Sequence, residues 1–393
     1  MATVGLRRPW SLPRRTVVLL AGIGLLVAVG LGGVLARPAG PAMTITGATE
    51  PDFRVAASVV PWPLRETVLV GTEQGARSKF VAFNARTGQV LGSVDASFGP
   101  MVVLRTSHKQ LLVSDVVADT PNGGGLPHPR LLWLDEQLSV IRVVPLPTRI
   151  MYTLYAPAMT LSADQSLLYY VGSTSCGAGC DDYAVIGLNL DSGAQVVAAD
   201  LPRGCGYAQL TAFAKTDVVA MCPALRSLFQ ISPRGGVVSL ATFSATGWPI
   251  AGGATQDGRR YLVTESGGLI VQDSSGAVLI DRTVAPAGMR FSGVQRWSLK
   301  GRVALGLKST TDIEMDGVVF LDSNTFATRV VQLPAGSTAI APLSQERLAV
   351  LHSGVASVLD LADGSLGPNI SAPGGGLMLI GPPKPDGGSD DDD

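Results

Sequence analysis

Charge and reactive side chains are scarce in this chain. Of 393 residues only 16% are charged, three are histidine, four are cysteine and 6% are aromatic. Each shortage excludes chemistry. Net charge is near zero and no basic stripe is interleaved with aromatics, so nucleic acid is not the expected partner. His108, His128 and His352 lie far apart, and none has another ligand type at metal spacing, so no metal site is expected. No G-x-S-x-G nucleophile elbow, Walker loop or EF-hand loop occurs. No catalytic residue and no cofactor are therefore assigned. Beyond one N-terminal segment, no extended stretch has helical period.

That segment is the uncharged run Thr16–Ala36, TVVLLAGIGLLVAVGLGGVLA. About 20 apolar residues cross the hydrocarbon core as a helix. Arg7, Arg8, Arg14 and Arg15 precede it with no acid, which predicts a cytoplasmic N-terminus and export of everything beyond Ala36. The reading is a basic cytoplasmic segment at 1–15 and a single-pass anchor at 16–36. A flexible Pro/Gly/Thr linker follows at 37–52, and a Pro/Gly-rich acidic tail at 381–393 is expected to be disordered. The alternative is a signal cleaved after Val34-Leu35-Ala36, or a twin-arginine export signal, leaving a secreted or periplasmic domain.

Between linker and tail, a strand–turn–strand pattern recurs seven times. It begins at Val81 (VAFNARTGQVLGSV), Leu131, Val185 (VIGLNLDSGAQVV), Leu228, Leu269 (LIVQDSSGAVLI), Val318 and Val355, in steps of roughly 46 residues. A polar turn and a β-rich strand precede each hairpin, as in DQSLLYYVG from Asp164 or DGRRYLVTE from Asp257. Upstream of most lies another short apolar strand. Each unit thus has four strands, and the expected fold is an all-β seven-bladed β-propeller over 53–380. Strands sandwiched between neighbouring sheets are apolar on both faces, which explains the positive mean hydropathy. Ring closure needs either Phe53–Val60 or Leu377–Ile380, the latter fitting better because the last unit already has four candidate strands. Gly88, Asn189 and Asp273 read as turn formers.

All four cysteines, Cys176, Cys180, Cys205 and Cys222, follow the anchor. An even count outside the cytoplasm reads first as disulfides. A four-thiolate zinc site is the alternative, but its close Cys-x-x-Cys pairs are missing.

The hairpins and turn-strand units resemble the YVTN-type β-propellers, and within these the heavy-chain propeller of amine dehydrogenases. VIGLNLDSGAQVV, Leu201–Pro223 (LPRGCGYAQLTAFAKTDVVAMCP) and Ser292–Phe326 carry the likeness. The resemblance implies that Cys205 and Cys222, in the family's cysteine-containing blade, form a disulfide. It transfers no catalytic residue, because the family's quinone sits on a separate small subunit. A partial match at Ala82–Gly92 to the pyrroloquinoline quinone propeller repeat lacks its tryptophan.

A propeller carries function on its loops. Loops between second and third strands share one face with those joining blades. On that face the sequence places Arg149, Tyr152, Tyr155, Asp181, Asp182, Arg203, Tyr207, Trp248 and Arg290. Arginines and aromatics favour a protein partner or a small polar ligand. The same residues would also serve merely to line and cap the channel. The expected function is a membrane-tethered, non-catalytic binding or scaffold module. The alternatives are a propeller subunit of an oxidoreductase and a lactonase-like hydrolase.

Overall fold

The computed structural model describes residues 67–379 apart from 75–76, 85–86, 88, 97–102, 106–110, 118–127, 136–138, 147–149, 152–158, 174–182, 206–207, 300, 310–313, 343–346 and 372–377. The expected anchor, linker and acidic tail lie outside these residues. Among the described residues no helix is long and apolar enough to cross a membrane.

Among the described residues the regular structure is antiparallel strand, arranged in successive units. The second unit is Val103–Arg105, Leu111–Val117, His128–Leu134 and Val140–Pro145. The third has a split first strand, Ile150–Met151 and Met159–Leu161, followed by Leu167–Ser173, Ala184–Asn189 and Gln195–Asp200. The fourth is Gln209–Phe213, Asp217–Cys222, Ser227–Ile231 and Val237–Thr242. The fifth is Pro249–Ala254, Arg260–Thr264, Gly268–Gln272 and Val278–Thr283. The sixth starts with Met289–Leu299, Arg302–Ser309 and Met315–Asp322.

Thr328–Pro342 then serves twice. Its first half pairs with Met315–Asp322 and its second with Arg347–His352, so the sixth and seventh units fuse into one seven-stranded sheet. Val355–Asp360 and Ile370–Ser371 complete the seventh. The first unit contains Thr67–Gln74, Arg77–Asn84 and Val90–Ala96, and its first strand is Met378–Leu379. That pairing, Leu69 with Leu379 and Val70 with Met378, is the C-terminal of the two closures the sequence allowed. Phe53–Val60 lies outside the described residues.

All seven repeated hairpins are pairs of third and fourth strands. Burial explains the apolar composition. Middle strands such as Arg260–Thr264 and Gly268–Gln272 are buried at nearly every position, while the outer strand Val278–Thr283 is almost wholly exposed. Successive side chains of a strand point to opposite faces. Leu168 and Tyr170 accordingly pack with Leu131 and Trp133 of the second unit, whereas Tyr169 and Val171 pack with Val218 and Ala220 of the fourth. Leu262 packs against Val219 and Met221, and Tyr261 and Val263 against Val303 and Leu305. The sheets of units three to six are therefore shared walls, apolar on both sides. Burying one such Leu or Val contributes about 1.5–3 kcal/mol.

Candidate functional site

Antiparallel connectivity sorts the turns onto two faces. Turns from first to second and from third to fourth strand lie at one end of the sheets. Turns from second to third strand lie at the other, beside the segments joining units.

On the first face Asp164, Asp257, Asp273 and Asp322 are consumed by the turns that hold them. Asp273 Oδ1 accepts the N–H groups of Ser275 and Ala277 at 2.8 and 3.0 Å and the Ser275 hydroxyl at 2.6 Å. Those bonds, the Ser275 hydroxyl first, hold its pKa below the usual carboxylate value. Asp322 accepts Asn324 and Thr325 N–H at 2.9 and 2.7 Å and is likewise lowered, chiefly by Thr325. Asn189 caps its turn the same way, through Ser192 N–H at 2.8 Å. Asp257 accepts from Arg259 Nε at 2.8 Å and from the Thr255 hydroxyl, and the Arg259 bond is the main cause of its lowered pKa. At Asp164 burial raises the pKa, but hydrogen bonds from Ser162 and Ser166 outweigh it and the net shift is downward. Asn189 and Asp273 are therefore turn formers, as the sequence suggested.

The second face is different. One arc of it runs through the junctions of units three to six, and backbone bonds tie it together. Leu201 N–H reaches Tyr183 O at 2.8 Å, and Phe243 N–H reaches Arg226 O at 2.9 Å. Glu265 N–H bonds Trp248 O at 2.8 Å, and Phe291 N–H bonds Glu265 O at 2.9 Å. The Cys205–Cys222 disulfide fastens the third junction segment to the end of a second strand, with Cα atoms 4.6 Å apart. Along this arc Arg203 and Arg226 are exposed, and Trp248 is 51% exposed despite its size. Arg290 Nη1 donates to Glu265 Oε1 at 3.4 Å, a slack ion pair. Its Nε is buried and has no partner among the described residues.

The structure thus places Trp248 and Arg290 on either side of Glu265, and puts Arg203 further along the same arc. Arg149, Tyr152, Tyr155, Asp181, Asp182 and Tyr207 lie outside the described residues, as do Cys176 and Cys180. Glu265 was missed from sequence. Its signal was being the one charged residue in the Glu265–Gly267 turn between two buried strands.

One arrangement invites a nucleophile reading and fails it. His352 Nε2 is 3.0 Å from Ser357 Oγ, and Ser357 Oγ donates to Asn369 Oδ1 at 2.8 Å. With its hydroxyl given to the Asn369 amide oxygen, Ser357 is part of a side-chain network rather than a free nucleophile. Ser357 is also only 1% exposed. Among the described residues no group of three or more His, Cys, Asp or Glu is placed to hold a metal.

The sequence matches no protein-family model and no curated protein. Its fold does match solved structures. A functionally unknown protein from Desulfotomaculum acetoxidans superposes with a TM-score of 0.52 at 12% identity, covering 81% of this chain and 100% of the other. A candidate 6-phosphogluconolactonase from Bacteroides uniformis gives 0.50 at 14% identity, covering 81% and 98%. A streptogramin B lyase gives 0.47 at 13% identity, covering 76% and 95%. The likeness is one of fold. Consecutive sheets of four antiparallel strands are consistent with a β-propeller.

Proposed function

We propose that this chain is a seven-bladed β-propeller, held outside the membrane by residues 16–36, that binds a partner or small polar ligand on its second-to-third-strand face without catalysis. The observation that carries this reading is the contrast between faces. Asp164, Asp257, Asp273 and Asp322 of the first face are spent on turns, whereas the side chains of Trp248, Glu265 and Arg290 hold no turn. Tryptophan and arginine are the residues most enriched in binding hot spots. The pairing of Met378–Leu379 with Thr67–Gln74 supports a closed ring, with Thr328–Pro342 passing from the sixth blade to the seventh.

Affinity purification of the full chain from solubilised membranes tests the proposal. A stoichiometric species retained by the native chain and lost from the Trp248→Ala/Arg290→Ala variant is the expected result. Equal retention by both, or none by either, overturns it.

A second reading, the propeller subunit of an amine-dehydrogenase-like oxidoreductase of YVTN type, draws support from the Cys205–Cys222 disulfide in the segment that resembles that family. Its mark in the same purification would be a small partner carrying a modified tryptophan. A lactonase-like reading has only fold likeness behind it.

A further inference from the structure

We infer that the Trp248–Glu265–Arg290 arc takes a ligand that combines a carboxylate or phosphate with a flat apolar ring. The inference rests on the binding reading above and adds the ligand's chemistry. The described connecting segments of the arc are 201–205, 223–226, 243–248, 265–267 and 284–290. Their charged residues are Arg203, Arg226, Glu265 and Arg290, and Lys308, which pairs with Arg290 across the strands, borders the same end.

The Arg290 guanidinium has five N–H donors in a planar fork suited to a carboxylate or phosphate. Among the described residues it makes one hydrogen bond, at 3.4 Å, and its Nε makes none. Several arginines on outer strands are committed. Arg142 donates to Leu190 O and Asp191 O at 3.2 and 2.7 Å, and Arg282 to Phe326 O at 2.6 Å. Among the described residues Arg290 is thus a cation held in place but not used up. Glu265 keeps it near the arc through a bond slack enough to give way to a better acceptor.

Trp248 supplies the second half of the specificity. Its O is bonded to Glu265 N–H, which fixes it one strand away from the residue that pairs with Arg290, and its side chain is half exposed. An exposed indole gains by covering a flat ring.

Calorimetric titration of the full chain in detergent with four probes tests this: benzoate, phenyl phosphate, benzyl alcohol and inorganic phosphate. Benzoate or phenyl phosphate is expected to bind about tenfold or more tightly than either single-feature probe, which needs only one charge-assisted hydrogen bond. Phenyl phosphate ahead of benzoate identifies a phosphate ligand, and the reverse a carboxylate. Arg290→Gln should bring the anionic and neutral ring probes to equal affinity, and Trp248→Ala should do the same for phenyl phosphate and inorganic phosphate. Equal binding of benzyl alcohol, an undiminished anion preference in Arg290→Gln, or no binding by any probe overturns the inference. The binding reading fails separately, only if the affinity purification is indifferent to Trp248 and Arg290.

Discussion

Asp273 shows how one carboxylate is tied to folding. Because its pKa is held below the ordinary value of 3.8, the unfolded chain binds more protons in acid. Its contribution is complete above that value and is lost as pH falls through the lower folded value. Asp164 and Asp322 behave alike. Thermal melting between pH 6 and pH 3 should therefore show midpoints falling below about pH 4. Asp273→Asn keeps an acceptor oxygen but cannot titrate, so its melting point should fall less steeply in acid. Tyr169 has the opposite sign. Burial first, then Asp217 and Asp164, push its pKa up to about 12, while its hydroxyl donates to Thr216 O at 2.7 Å. Stability from Tyr169 is complete below its ordinary value of 10 and lost as pH rises toward 12. Tyr169→Phe leaves the Thr216 carbonyl without this donor and should cost about 1 kcal/mol in denaturant unfolding at pH 7.

Between elements, arginines on outer strands latch one unit to the next. Arg142, beneath which the Trp133 ring lies 5.0 Å away, bonds the turn of the third unit. Arg282 and Arg329 bond Phe326 O and Leu361 O in the sixth and seventh. Arg282→Ala should destabilise by about 1–2 kcal/mol, and Arg282→Lys by nearly as much, since an ammonium lacks the planar reach. Gly193 sits at φ +68°, and a Cβ there would run into the Arg142 guanidinium, so Gly193→Ala should break that latch as well as strain its turn. The Cys205–Cys222 bridge closes a loop with a sequence separation of 17. Converting both to serine should lower stability by about 3 kcal/mol, read as a lower denaturation midpoint that reductant no longer shifts.

At the scale of the whole molecule, stability depends on each sheet having neighbours on both faces. Met378–Leu379 joins the C-terminal end of the array to its first sheet. Truncation before Leu377 should therefore expose an edge in the first unit and lower the melting temperature of the entire domain in one cooperative step. Separate melting of the first unit, with the rest unchanged, would contradict that expectation.

The four-strand units were legible in the sequence because strand alternation and turn chemistry are local. Asn189, Asp273 and Asp322 announce their turns from within a few residues, and the buried middle strands announce themselves by unbroken apolar runs. The arc of Arg203, Trp248 and Arg290 was legible as far as connectivity assigns a face to each loop. The sequence favoured Leu377–Ile380 as the closing strand, and the resemblance implied the Cys205–Cys222 disulfide; tertiary structure made both pairings. It alone set Glu265 between Trp248 and Arg290. Each of those contacts links residues on different strands or units, so its distance follows from how sheets and strands pack and not from the residues that precede it in the chain.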